Sequence, residues 1–115
     1  MTINEWQAKV DTWIRSYGVR YFDEMTNTLV LTEEVGEFAR LIARHYGEQS
    51  FKNANDAERA PELIREELAD IFFVLTCLAN QMGIDITEIL ERNLLKKTTR
   101  DATRHLDNTK LHPEE

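Results

Sequence analysis

Apolar residues recur every three or four positions along most of the chain, which predicts helices and gives almost no strand signal. The first apolar stripe runs from Trp6 to Tyr17. It follows a Thr2–Glu5 pair that has the form of a capping box, and Gly18 offers an end to the helix. The pattern therefore predicts an N-terminal helix that reaches Gly18.

Three further helices are predicted by the same spacing. The second spans residues 23–46, the third begins with Pro61 in its first turn and stops near Gly83, and the fourth runs from residue 85 to residue 100. Residues 48–60 are polar and aperiodic, which predicts a loop. We therefore expect one all-α domain over residues 1–100, a bundle of four to five antiparallel helices, followed by a polar tail over residues 101–115.

Carboxylates interrupt the apolar stripe of the second helix. Val30, Glu34, Glu37 and Leu41 follow the spacing i, i+4, i+7, i+11 and so share one face. The two ends of this face are apolar and its middle is two acids. A solvated surface would explain one such pair, but it would not explain a second one in the most apolar helix of the chain.

The third helix repeats this arrangement with Leu63, Glu67, Asp70 and Val74. Residues 71–79 are apolar on nearly all sides, which predicts a central, buried helix. If the second and third helices pack antiparallel, Glu34, Glu37, Glu67 and Asp70 meet in one place.

Four anions at close range repel one another, so they must either bind protons or surround a multivalent cation. The candidate ligands are all oxygen, which favours Mg²⁺ or Mn²⁺ over zinc or copper. Mg²⁺ commonly bridges substrate phosphates, so the cluster indicates phosphate chemistry. A di-iron bundle would need Glu-x-x-His motifs on two helices, whereas Glu34 and Glu67 are followed three residues later by Glu37 and Asp70.

Composition narrows the classes of partner and compartment. The 115 residues carry 21 acidic against 14 basic side chains, a net charge of −7, which disfavours binding to a nucleic-acid polymer. We find no leader pattern and no apolar run long enough for a membrane span. The single cysteine, Cys77, lies in an apolar run and is predicted to be a core thiol. We therefore expect a cytoplasmic protein without a membrane partner.

The segments EEVGE (residues 33–37) and EELADIFFVLTCLANQMGID (residues 66–85) resemble the MazG-type nucleoside triphosphate pyrophosphohydrolases. The family pattern is EExxE, a variable spacer, then ExxD, and the resemblance covers residues 29–100. It implies an all-α protomer that assembles as a dimer or a dimer of dimers. It also implies Mg²⁺-dependent hydrolysis of nucleoside triphosphates to monophosphate and pyrophosphate, which would clear unwanted or modified nucleotides.

The resemblance assigns roles to individual residues. The family's metal ligands fall on the four carboxylates of the two stripes, Glu34, Glu37, Glu67 and Asp70. Glu33, one step round the helix, could contact a metal-bound water or act as general base, with a solvated surface glutamate as the alternative. We count Glu33, Glu34 and Glu37 as the candidate catalytic residues.

Substrate contacts are expected from basic and aromatic side chains. The family places basic residues and an asparagine on the fourth helix, where this chain has Asn93, Lys97 and Arg100, in an order that departs from the usual one. Lys96 shares a face with Arg100; a basic last turn matched to the helix dipole is the alternative explanation. Tyr21 and Phe22 are candidates for stacking on the base. Arg44 and Lys52 are weaker candidates for phosphate contacts.

A second function class stays open at this point. The same acidic cluster could bind Mg²⁺ or Ca²⁺ structurally in a non-catalytic helical module that serves a partner protein. The intact EExxE and ExxD motifs favour the enzyme.

Overall fold

The computed structural model describes residues 1–112. Over these residues it contains four α-helices and no strand, which confirms the predicted all-α fold. The helices are α1 (Ile3–Trp13), α2 (Glu24–His45), α3 (Ala54–Gln81) and α4 (Ile86–Asp101). A π-helical turn (Ile14–Gly18) continues α1, and a short 3₁₀ turn (Thr109–Leu111) lies in the predicted tail, whose last three residues are outside the described part of the chain.

Polar side chains cap the start of every α-helix. The predicted capping box is present, with the Glu5 amide donating to Thr2 Oγ1 (3.1 Å) and the Thr2 amide donating to Glu5 Oε1 (3.4 Å). Asp23 and Asp85 cap α2 and α4. Each cap satisfies amides that have no partner inside their helix.

The third helix begins at Ala54, so the prediction that Pro61 lies in its first turn was wrong. Asn53 caps the earlier start: its Oδ1 accepts from the Asp56 amide (2.8 Å) and its Nδ2 donates to the Asp56 carboxylate (3.0 Å). Pro61 then lies inside the helix and removes one backbone hydrogen bond. The adjacent Ala60 is fully buried, and this packing helps to hold the added turns in place.

Helices α2 and α3 are antiparallel and form the main helix pair. Near one end of the pair the Asn27 side chain, in the first turn of α2, donates to Gln81 Oε1 at the end of α3 (2.8 Å). Glu34 and Glu67 meet further along, and Leu41 and Leu63 line one cavity beyond them. In these contacts the residue numbers rise along α2 while they fall along α3, so the two helices run antiparallel.

Helix α1 packs against the C-terminal half of α3 and forms the core with it. Val10, Ile14 and Cys77 are buried there, and Trp6 Nε1 donates to Thr76 Oγ1 (2.8 Å). Burial raises the pKa of the Cys77 thiol to about 11, so the thiol stays protonated near neutral pH. Cys77 is therefore a core thiol, as predicted.

Much apolar surface remains uncovered in the protomer. The radius of gyration is 18.5 Å, whereas a compact domain of this length has about 13 Å. Phe72 is 63% exposed, and Leu94 and Leu95 are 66% and 68% exposed. The expectation that residues 71–79 are buried on all sides therefore holds for Val74 and for residues 76–79 but fails for Phe72 and Leu75.

Over residues 1–112, each helix taken singly is too short or too polar to cross a membrane. Helices α3 and α4, which meet at a bend of 103°, have the length and apolar composition of a membrane span only when they are taken together.

Candidate active site

Carboxylates from α2 and α3 meet between the two helices. One carboxylate oxygen each from Glu34, Glu67 and Asp70 lies within 4.8 Å of the other two. Glu34 and Glu67 are half-buried and Asp70 is exposed. The two stripes read from the sequence therefore face each other, because the antiparallel packing aligns the middle of α2 with the middle of α3.

Glu37 stands beside this group, one turn further along α2. It is exposed, and it lines the same cavity as Glu67 and Asp70. Its charge is also among the causes that raise the pKa of Glu67. All four predicted carboxylates are thus gathered, with Glu34, Glu67 and Asp70 in closest mutual contact.

The pKa of Glu67 reflects its burial and the nearby carboxylates. Burial raises the pKa of Glu67 to about 8, and hydrogen bonds to Glu34 and Glu37, together with their charge, act in the same direction. A pKa raised in this way favours the protonated form of Glu67 near neutral pH when no cation is bound.

Two oxygens of the cluster are left without a partner. Glu34 Oε2 and Glu67 Oε2 are buried, and neither has a hydrogen-bond partner among the described residues. Buried polar atoms are rarely unsatisfied unless they bind an ion or carry out chemistry. Unsatisfied carboxyl oxygens close to further carboxylates fit a hard divalent cation such as Mg²⁺ or Mn²⁺.

A cavity of about 270 Å³ opens beside the cluster. Its acidic wall is formed by Glu37, Glu67 and Asp70. Beyond them lie side chains that sequence reasoning passed over or ranked low: Arg40, Arg44, Phe51, Asp56 and Glu66. Arg40 could have been found, because it continues the stripe three residues after Glu37, whereas the loop residue Phe51 has no periodic signal.

Glu33 and the predicted α4 residues lie apart from the cavity within one protomer. Glu33 is exposed and outside the group of facing oxygens. On α4, Asn93, Lys96, Lys97 and Arg100 are all exposed. Lys96 and Arg100 line a separate shallow groove, and Arg100 Nη2 pairs with Asp101 Oδ2 at 2.9 Å. Their predicted contact with phosphate would need a second protomer or a movement of α4.

Tyr21 and Phe22 are also distant from the carboxylates. The Tyr21 hydroxyl donates to Asp11 Oδ1 (2.7 Å) and accepts from Asn80 Nδ2 (3.1 Å). Asn80 lies ten residues beyond Asp70, about 15 Å along α3. Tyr21 is therefore part of the α1–α3 contact, while Phe22 is exposed and its carbonyl accepts from Gln81 Nε2.

Comparison with known sequences places this arrangement in a family. The sequence model of the MazG nucleotide pyrophosphohydrolase domain matches residues 22–105, a range that includes α2, α3 and α4. The chain belongs to the MazG nucleotide pyrophosphohydrolase family. The resemblance noted from EExxE and ExxD is thereby confirmed, and α1 lies outside the matched residues.

Individual relatives agree with the MazG assignment. The chain is 39% identical over 103 residues to the protein YpjD of Bacillus subtilis (strain 168), covering 90% of this chain and 89% of YpjD. The crystal structure of YPJD from Bacillus subtilis aligns with a TM-score of 0.72 at 36% identity, over 84% of this chain and 94% of the other. That of the Bacillus-conserved MazG protein, a nucleotide pyrophosphohydrolase, aligns with a TM-score of 0.71 at 35% identity, over 88% and 94%.

Proposed function

We propose that this MazG-type protein hydrolyses nucleoside triphosphates to monophosphate and pyrophosphate with Mg²⁺, and that it clears unwanted or modified nucleotides. The observation that carries this proposal is the pair of buried, unpartnered oxygens of Glu34 and Glu67 beside Asp70. Mn²⁺ is the expected substitute, because it accepts the same oxygen ligands.

The carboxylates would bind the ion, and a neighbouring residue would activate the attacking water. Glu34, Glu67 and Asp70 offer oxygens that already face one another, and Glu37 adds a fourth carboxylate from the cavity side. A bound divalent cation would neutralise negative charge on the triphosphate. Glu67 has to release its proton before it can act as a ligand, so binding should release protons below pH 8.

Glu33 is the proposed general base. Resemblance to the EExxE motif supports this role, and Glu33, exposed and next to Glu34 in the chain, would act from outside the group of facing oxygens. The water oxygen would bond to the α-phosphorus while the bond from the α-phosphorus to the bridging oxygen breaks and pyrophosphate leaves. The protein forms no covalent bond to the substrate in this reaction.

We further propose that the active form is a homodimer or a dimer of dimers. The exposed Phe72, Leu94 and Leu95 and the extended shape support self-association, because monomers rarely expose large apolar patches. A second protomer would also offer a route by which Asn93, Lys96, Lys97 and Arg100 approach a cavity that they do not reach within their own chain.

The test is an incubation with a panel of ordinary, deoxy and modified nucleoside triphosphates and Mg²⁺, with the products separated and identified. We expect monophosphate and pyrophosphate, none of either with a chelator, and none from Glu34→Gln. The control is Glu91→Gln, which makes the same charge change at an exposed position of α4 and should remain active. Orthophosphate with nucleoside diphosphate would refute attack at the α-phosphorus. Mg²⁺ binding without hydrolysis of any nucleotide would favour the non-catalytic metal-binding module.

A further inference from the structure

Two arginines of α2 share the cavity with the acidic cluster. Arg40 and Arg44 follow Glu37 by three and seven residues, and both line the same wall of the cavity. Residues four apart lie on one helix face, separated by about 6 Å along the axis. The lining of the cavity therefore combines carboxylates with two arginines, which lie beyond Glu37 on α2.

These two guanidinium groups are not used by the protomer itself. Within residues 1–112 neither Arg40 nor Arg44 forms an ion pair or a side-chain hydrogen bond, although Asp56 and Glu66 line the same cavity. Arg15, Arg59, Arg92, Arg100 and Arg104 are all paired with carboxylates. Arg44 is moreover half-buried, although within residues 1–112 no carboxylate pairs with it.

We propose that Arg40 and Arg44 bind the β- and γ-phosphates of the substrate and hold the departing pyrophosphate. This inference rests on the proposed function, which brings the α-phosphorus to the carboxylates. From Glu37 the α2 residues that line the cavity continue to Arg40 and Arg44, about 4.5 and 10.5 Å along the helix axis, a span comparable to the rest of a triphosphate. The planar guanidinium fork matches two phosphate oxygens at once, so an arginine pair is suited to this end of the substrate.

The alternative orientation, with the nucleoside on the arginines, fits the site less well. A nucleoside has no charge, so it would offer both guanidinium groups only neutral acceptors in place of anionic phosphate oxygens. The cavity volume of about 270 Å³ also lies just below the range of about 300–1,000 Å³ that is usual for whole small-molecule ligands. A space of this size suits one part of a nucleotide, and its arginines favour the most highly charged part.

The test measures pyrophosphate binding directly. Equilibrium dialysis with labelled pyrophosphate at saturating Mg²⁺ compares wild type with Arg40→Gln and Arg44→Gln. We expect each substitution to weaken binding by about tenfold or more, because each removes charge-assisted hydrogen bonds. Arg40→Lys and Arg44→Lys should recover part of the affinity, since they keep the charge but not the fork. The matched control is Arg65→Gln, an exposed arginine of α3 outside the cavity, which should bind like wild type.

A purely electrostatic role for the arginines predicts a different result for pyrophosphate binding. If Arg40 and Arg44 only offset the carboxylates, their removal would tighten Mg²⁺ binding and leave pyrophosphate binding at saturating Mg²⁺ unchanged. That outcome would overturn the inference, and so would a wild-type protein that does not bind pyrophosphate.

Hydrolysis is assayed separately with nucleoside triphosphate and diphosphate. The variants should lose more kcat/KM with the triphosphate than with the diphosphate. If the wild type hydrolyses nucleotides and the variants have the same kinetics, the inference about the arginines is refuted while the proposed function stands. The other outcome is a wild type that binds pyrophosphate but hydrolyses no nucleotide, with variants that lose that binding. This result would refute the proposed function and leave the anion site in place.

Discussion

Glu67→Gln in the metal-free protein is the most direct test of the acidic cluster, because it removes the carboxyl group whose pKa the fold raises. The pKa of Glu67 is raised to about 8 from an ordinary value of 4.5. Between those pH values the folded protein holds a proton that the unfolded chain has released. Stability from this group is therefore complete below pH 4.5, falls as the pH rises, and is lost above about pH 8.

The magnitude follows from the width of that interval. At about 1.4 kcal/mol per pH unit, the upper limit is about 5 kcal/mol. Glu67 is only half-buried and its neighbours Glu37 and Asp70 are exposed, so solvent screens much of the repulsion. We expect the metal-free wild type to lose about 1–2 kcal/mol between pH 5 and pH 8, or about 4–8 °C in Tm. Glutamine cannot ionise, so the variant should lose much less.

The assay is thermal unfolding in chelator across this pH range at one fixed protein concentration. Concentration is held constant because association changes the apparent Tm. Glu91→Gln is the matched control and should follow the wild-type pH dependence. Near pH 8, Glu67→Gln should melt above wild type, and Mg²⁺ should raise the midpoint of wild type more than that of the variant. Equal pH dependence in Glu67→Gln and wild type would refute the crowded-carboxylate explanation.

Three further predictions concern the rest of the site and the assembly. Glu37→Gln should melt at or above wild type without metal while hydrolysis falls by orders of magnitude; full activity, measured as product formation, would remove Glu37 from the site. Lys97→Ala and Arg100→Ala should raise KM or lower kcat at unchanged Tm, and unaltered kinetics would return both residues to the helix-dipole explanation. Light scattering at micromolar concentration should show a dimer or tetramer, because the exposed Phe72 and Leu94 need a partner; a strict monomer would contradict this.

The helical fold and the meeting of the carboxylates could be predicted from sequence because both depend on periodicity. The spacing of Glu34 with Glu37, and of Glu67 with Asp70, fixes one face on each helix. Antiparallel packing of two consecutive helices then brings those faces together, and the oxygens of Glu34, Glu67 and Asp70 do meet. The capping box of Thr2 and Glu5 was likewise a local signal within a few residues.

The features that sequence reasoning missed depend on information that periodicity lacks. The start of α3 depends on a cap by Asn53 within a polar segment, and the buried Ala60 contributes little hydrophobic signal. Tyr21 looked free to bind a base, but its hydroxyl contacts Asp11 and Asn80, which are distant in sequence. Arg40 seemed an ordinary polar residue of an amphipathic helix until the loop and α3 enclosed a cavity around it.

The placement of α1 explains how the protomer accommodates an unfavourable acidic cluster. Its core contacts, Val10 and Ile14 with Cys77, lie ten residues beyond Glu67, about 15 Å along α3. Polar contacts reinforce the same end of α3, since Gln7 Nε2 donates to Asn80 Oδ1 (3.0 Å). Sites separated by this distance act almost independently on stability. Repulsion within the cluster is therefore offset by packing that does not touch it. The carboxylates can keep unsatisfied oxygens for an ion because α1, which lies outside the family match, stabilises α3 elsewhere.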